Sequence, residues 1–206
     1  MRKLIVTNIV SLDGYVDGPG GNPMALPMDH SFDAYNAERL RAAGTLLLGR
    51  RTYDMFRGFW PAVDGDSAFS PVNWEISRLE NAIEKVVISD SLTAGQTAPW
   101  TATTRIVSRA DAHLRVAELK RGEGGDILVF GSRVTWNDLL TAGLVDELHL
   151  MLGPVVLGGG TPAFQDVKTG PLRLLGTRSW EGSGNLLLRY DASPAGSSVA
   201  AEAATH

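Results

Sequence analysis

Two segments pair a strand-like run with a glycine and then a helix-like stretch: TLLLGRRTY, Thr45 to Tyr53, and DILVFGSRVTW, Asp126 to Trp136. Such a junction aims backbone N–H groups out of a helix N-terminus. There the unpaired donors and the macrodipole favour an anion such as a phosphate. Arg50 and Arg51 sharpen this, because a cation at a helix start opposes the macrodipole unless an anion sits there too. One junction is common in αβ proteins; two on strands that read as parallel neighbours suggest a split nucleotide site.

Other residues allow two readings each. Asp13, with Gly14 and Tyr15, follows the first strand and either orients a substrate or caps its own turn. Gly158, Gly159 and Gly160 form either a nest of backbone donors or a flexible hairpin loop. Phe59, Trp60 and Pro61, with Tyr53, either wall a planar-ring pocket or fill the core beneath a loop. Asp146 and Glu147 are adjacent on a strand, so they point to opposite faces and cannot act on one atom.

These groups need a scaffold, and the pattern supplies one. Strands are expected at Lys3–Ser11, Thr45–Leu48, Lys85–Ser89, Thr104–Ser108, Asp126–Phe130 and Val145–Leu152. Helices are expected at Phe32–Ala43, from Arg51 as a turn, at Trp74–Ala82, at Asp111–Arg121 with Leu114, Ala117 and Leu119 inward, and at Val134–Ala142. LDGYVDGPGGNP, GFWPAVDGDSAFSP and GPVVLGGGTP read as loops, and Leu172–Trp180 with Leu186–Tyr190 as an antiparallel pair. Alternating elements followed by a hairpin give an α/β fold with a mostly parallel sheet. Residues 1–191 form one domain in this reading, and the small, polar stretch 192–206 a disordered tail.

Composition narrows the function classes. At 206 residues and 44% hydrophobic content the chain can bury a full core. A net charge of -4 gives no footprint for nucleic acid or an anionic membrane. Without cysteine there is no disulfide, thiolate nucleophile or Cys-ligated zinc, and no metal is expected. No apolar run approaches the roughly 20 residues of a membrane span. A cytoplasmic protein is expected.

With these elements placed, the chain resembles the dihydrofolate reductase-like superfamily, in the branch of the C-terminal reductase domain of riboflavin-biosynthesis proteins. The matching residues are VTNIVSLDGYVDG, TLLLGRRTY, VVISDSL, ILVFGS and GLVDELHLMLGPVVLGGGTPAF, in the family's order over about residues 1 to 190. The resemblance implies NADPH across the carboxyl edge of the sheet. Gly49, Arg50, Arg51 and Thr52 would hold phosphates at the first junction. Gly131, Ser132 and Val134 would flank the pyrophosphate and ribose at the second, with Ser89 at the adenosine end. Asp90 departs from the hydroxyl or basic residue that family members often place there, and it would repel a 2′-phosphate unless it points away.

By the same resemblance, Asp29 stands where folate reductases carry the carboxylate that aids substrate protonation; otherwise it caps the helix near Ser31. The end of the first strand and the glycine loop would face the substrate, so Tyr15, Tyr53, Trp60 and Gly159 are pocket candidates, and Asp29 and Asp13 catalytic ones. The implied function is NADPH-dependent hydride transfer to a small planar heterocycle or its ribosyl derivative (pterin-, flavin- or aminopyrimidine-like), in a homodimer. The alternative is a non-catalytic nucleotide- or ligand-binding protein on the same fold.

Overall fold

The computed structural model describes residues 1–194. The first strand, β1 (Leu4–Ser11), is buried at every position, as a strand covered on both faces requires. A short β2 (Tyr15–Asp17) follows. Helix α1 (His30–Ala42) leads directly into β3 (Ala43–Gly49), and α2 (Arg50–Phe59) starts where β3 ends. Then come α3 (Pro71–Ala82), entered through a Ser70–Asn73 capping box, β4 (Glu84–Ile88) and β5 (Thr104–Val107). The chain continues through α4 (Ala112–Arg121), β6 (Asp126–Phe130), α5 (Arg133–Thr141), β7 (Glu147–Gly153) and a two-residue β8 (Thr161–Pro162). It closes with the hairpin of β9 (Arg173–Ser179) and β10 (Leu186–Asp191).

Eight strands form one sheet in the order β5-β4-β3-β6-β1-β7-β10-β9. The first six run parallel, β10 runs antiparallel to β7 and β9 antiparallel to β10, as the alternation followed by a hairpin required. Period-two alternation sorts the strand residues onto two faces. Leu46, Leu48, Val87 and Leu128 pack with Ala37, Leu40 and Ile76 of α1 and α3. Leu47, Val86, Ile127 and Val129 pack with Val116, Trp136 and Leu139 of α4 and α5. Because every parallel strand points the same way, the loops after β1, β3, β4, β5, β6 and β7 gather on one edge.

Four sequence expectations need correction. The stretch read as loop after β1 contains β2, which pairs antiparallel with β8 in a second, two-stranded sheet. The turn expected from Arg51 is a ten-residue helix that takes in Gly58 and Phe59. On α4 the buried positions are Ala112, Val116 and Leu119, the i, i+4, i+7 face, whereas Leu114 is 62% exposed. Ala192 is buried in the core, so the tail reading fails there; its remainder, 195–206, lies outside the described residues.

One buried polar chain crosses the core away from the carboxyl edge. Fully buried His149 on β7 lies 2.7 Å through Nδ1 from the Tyr35 hydroxyl and 2.8 Å through Nε2 from Glu147, which also pairs with Lys3. Burial lowers the His149 pKa despite Glu147, and the bond from His149 holds Glu147 down to about 2.

Candidate active site

The two glycine junctions adjoin, because β3 and β6 are hydrogen-bonded neighbours in the sheet. Gly131 and Ser132 both take left-handed backbone, with φ of 51° and 50°. For a serine this conformation is unusual and needs support. Here the Ser132 Oγ accepts from the Gly49 N–H at 3.0 Å, and the Ser132 N–H donates to Thr52 Oγ1 at 2.9 Å. A Cβ on Gly131 would stand 3.1 Å from the Thr52 side chain, so this crossing is tight enough to favour glycine. The junctions are thus bolted together through Thr52 and Ser132.

Neither helix at these junctions has a side-chain cap: Gly49 precedes α2 and Ser132 precedes α5 without capping either. By contrast, α1 and α3 are capped by Asp29 and Ser70. The first turns of α2 and α5 therefore present backbone donors side by side at the carboxyl edge. Arg51 is exposed and has no hydrogen bond or ion pair among the described residues; its guanidinium rests against Gly21, near Asp17. Arg50 is engaged, held by the Asp54 carboxylate one turn on and by Gln96 Oε1 at 3.4 Å. Val134 is 67% exposed on the first turn of α5.

Ser89, after β4, is buried, and its Oγ accepts from the N–H groups of Ser91 and Leu92, closing the turn. Asp90 turns to the loop after β5, where Oδ1 accepts from the Arg109 N–H at 2.9 Å and Oδ2 lies 3.7 Å from its guanidinium. The acidic departure from the family pattern is therefore charge-balanced by Arg109. Sequence reasoning missed Arg109; the Ser-Arg pair closing a strand was its only signal.

The glycine loop is neither an open nest nor slack. Asp13 Oδ1 and Oδ2 accept from the N–H groups of Leu157 and Gly158 at 3.1 and 2.7 Å, and Asp17 Oδ1 accepts from Thr161 at 2.8 Å. Of the three glycine N–H groups, that of Gly158 thus already holds one of the chain's own carboxylates. The Ser11 hydroxyl and these N–H groups keep Asp13 at about 2. Gly160, at φ 132°, passes so close to β2 that a Cβ would lie 2.0 Å from the Asp17 carbonyl oxygen. Gly159 itself has open space around it, and half-buried Tyr15 lies on β2 opposite Pro162 of β8. From β8 the chain docks on α5 through Asn137, which donates to the Ala163 carbonyl and accepts from the Gln165 N–H.

Three candidate residues take the structural one of their two readings. Asp29 is the N-cap of α1: Oδ1 accepts from the Ser31 N–H, the Ser31 hydroxyl and Asn185, and Oδ2 from the Ser183 hydroxyl at 2.6 Å. Burial pushes this carboxyl up, but the bonds from Ser183 and Ser31 outweigh it and bring it down to about 2. Both carboxylate oxygens are thus spent on the α1 start and the hairpin turn, the capping reading of this residue. Tyr53 is fully buried, its hydroxyl 2.9 Å from Thr104 and its ring against Trp100, so it is core and not pocket. Trp60 follows the far end of α2, about 15 Å of helix from Arg50, and packs edge-on against Phe56 and Phe59.

Among the described residues no group of three or more His, Cys, Asp or Glu side chains could hold a metal ion, and no helix is long and apolar enough to cross a membrane.

This architecture is an α/β protein with two adjoining, uncapped helix starts on the carboxyl edge of its sheet. The RibD C-terminal domain matches residues 2–188, and the chain belongs to that family. A Bacillus subtilis (strain 168) relative, the uncharacterized protein YyaP, is 28% identical over 190 residues, covering 87% of this chain and 89% of its own. Among solved structures, a putative riboflavin biosynthesis protein from Shewanella sp. PV-4 superposes with a TM-score of 0.64 at 22% identity, over 92% of this chain and 98% of that one. A Thermotoga maritima diaminohydroxyphosphoribosylaminopyrimidine deaminase/5-amino-6-(5-phosphoribosylamino)uracil reductase gives 0.63 at 12% identity, over 92% of this chain and 56% of that one. A pyrimidine reductase-like protein from Corynebacterium diphtheriae gives 0.57 at 17%, over 92% and 91%. At these identities the structures share the fold.

Proposed function

We propose that the protein is an NADPH-dependent reductase of a small planar heterocycle. The observation that carries this reading is the pair of uncapped helix starts bolted together through the strained Ser132, with the unpartnered Arg51 beside them. That donor set fits a group with two adjoining phosphates. The family membership and the reductase names of the Thermotoga and Corynebacterium neighbours support it.

In this reading the N–H groups opening α2 and α5 and the Arg51 guanidinium hold the pyrophosphate. Gly131 lets the backbone approach it, and Val134 covers the ribose. Arg50, oriented by Asp54 and Gln96, and Arg109, oriented by Asp90, flank the adenosine end beside Ser89. When bound, the reduced nicotinamide supplies hydride for a C=N or C=O bond. Asp13 and Asp29 spend their oxygens on donors of the chain itself, so this reading draws the balancing proton from water at the exposed edge. Their role is to fix the loops: Asp13 the glycine loop, Asp29 the α1 start and the hairpin turn. A cytoplasmic homodimer completes the proposal.

The test is calorimetric titration with NADPH, followed by NADPH oxidation across pterins, flavins, quinones and ribosylaminopyrimidines. Binding with turnover of at least one acceptor is expected. Binding with turnover of none identifies a ligand-binding protein on this fold instead.

A further inference from the structure

The loops on the β1–β7–β10 half of the carboxyl edge carry no cation among the described residues. The chain has no Lys or Arg between Lys3 and Arg39, nor between Arg133 and Lys168, nor in the hairpin turn 180–185. Those stretches hold every loop on this half: 12–29 after β1, 154–163 after β7, and the β9–β10 turn, which lies at the end of β7 because Leu186 pairs with Leu152. Lys168 is on the way out, since the chain passes from Ala163, bonded to Gly14, to Arg173, opposite the start of β7 through Asp191. The charges these loops do carry are Asp13, Asp17, Asp29 and Glu181.

Large apolar side chains stand exposed here, Met24 among them. Leu12 is 60% exposed and Val156 68%, and they are brought together by the Leu12 N–H donating to the Val155 carbonyl at 2.9 Å. Their loops are tied by Asp13 and Asp17 and cannot simply fold them inward. The one guanidinium at the border is Arg51, which opens α2 beside the anion cradle.

Resting on the reductase reading, we propose that the substrate taken up on this half is an uncharged planar ring compound without a phosphate, unlike the phosphoribosyl compound for which the Thermotoga neighbour is named. With Arg51, which rests against Gly21 of the 12–29 loop, given to the cofactor's pyrophosphate, a phosphate dianion brought here would meet carboxylates and no unclaimed cation, a repulsive arrangement of the kind that sets specificity. An uncharged ring meets the exposed Leu12 and Val156 and gains by covering them.

The test compares 5-amino-6-(5-phosphoribosylamino)uracil with its dephosphorylated form, a lumazine and a small quinone, titrated into the full chain saturated with NADP⁺. At least one uncharged probe is expected to bind, and the dephosphorylated aminopyrimidine at least tenfold more tightly than its phosphate. Tighter binding of the phosphate, weakening with salt, overturns the proposal, and so does binding of no uncharged probe. In Val156→Lys the phosphorylated probe should gain about tenfold; no gain places the substrate elsewhere and counts against the proposal. If NADP⁺ itself does not bind, the reductase reading fails, while the same titrations on the free protein still decide the charge preference.

Discussion

Over β3, β4, β5 and β6 the carboxyl edge is cationic, with Arg50, Arg51, Arg109 and Arg133 at its loops. Over β1, β7 and β10 the same edge is acidic and apolar, and its carboxylates are spent on its own backbone. The contrast extends to how each half is held. On the cationic half the helix starts are left uncapped, whereas on the acidic half Asp13, Asp17 and Asp29 take up the N–H groups of Leu157, Gly158, Thr161 and Ser31. A donor array left open in one place and filled in the other separates a ligand cradle from a structural brace.

The brace breaks most readily at Gly160. Gly160→Ala forces a Cβ into the Asp17 carbonyl at a backbone angle that L side chains rarely adopt. It should cost about 3 kcal/mol or more in urea unfolding. A loss under ~1 kcal/mol would mean that β2 and β8 yield easily and the brace is slack.

On the cradle side, Ser132→Ala leaves the Gly49 N–H without its acceptor. A loss of about 1–2 kcal/mol is expected, together with weaker NADPH binding. Ser132→Gly should recover part of the stability by accepting φ 50° freely. If both variants bind NADPH like wild type, the bolt between the junctions is irrelevant to the ligand.

A smaller effect is expected at the adenosine end. Arg109→Ala should weaken NADPH several-fold more than NADH, on the order of 1 kcal/mol of discrimination. Asp90→Asn should shift the ratio the other way by removing an acid near the 2′-phosphate. Equal losses for both cofactors in Arg109→Ala would exclude it from 2′-phosphate recognition.

Acid should weaken the fold through the buried chain at His149. Its pKa is lowered in the fold, so below pH 6.5 the unfolded chain binds a proton that the folded one refuses, and stability falls. Glu147, held down to about 2, adds a second loss as pH drops from 4.5 toward 2. Urea midpoints against pH should show both phases, and His149→Gln should lack the first. A first phase persisting in that variant would assign it to another group.

The parallel sheet and both glycine junctions were legible because strand alternation and strand–glycine–helix order are local patterns. What failed depended on partners distant in sequence. β2 and β8 are two and three residues long and exist only through each other, so Gly, Pro and Asp counts made both look like loop. Leu114 was placed inward by type, whereas the buried face is set by its alignment with Ala112, Val116 and Leu119. Trp60 and Tyr53 were drawn toward the cleft by nearness in sequence to Arg51, although α2 runs back along the sheet and carries Trp60 away from it. The two readings left open for Asp13 and Asp29 turn on the Leu157, Gly158, Ser183 and Asn185 donors, more than 140 residues away, which no local pattern reveals.

The most direct measurement is a calorimetric titration of the full chain and of Arg51→Ala with NADPH. Saturable binding by the full chain is expected, with about tenfold weaker binding, ~1.4 kcal/mol, when the free guanidinium is removed. No binding at millimolar cofactor, or identical binding by both proteins, would contradict the assignment of the two junctions as the cofactor cradle.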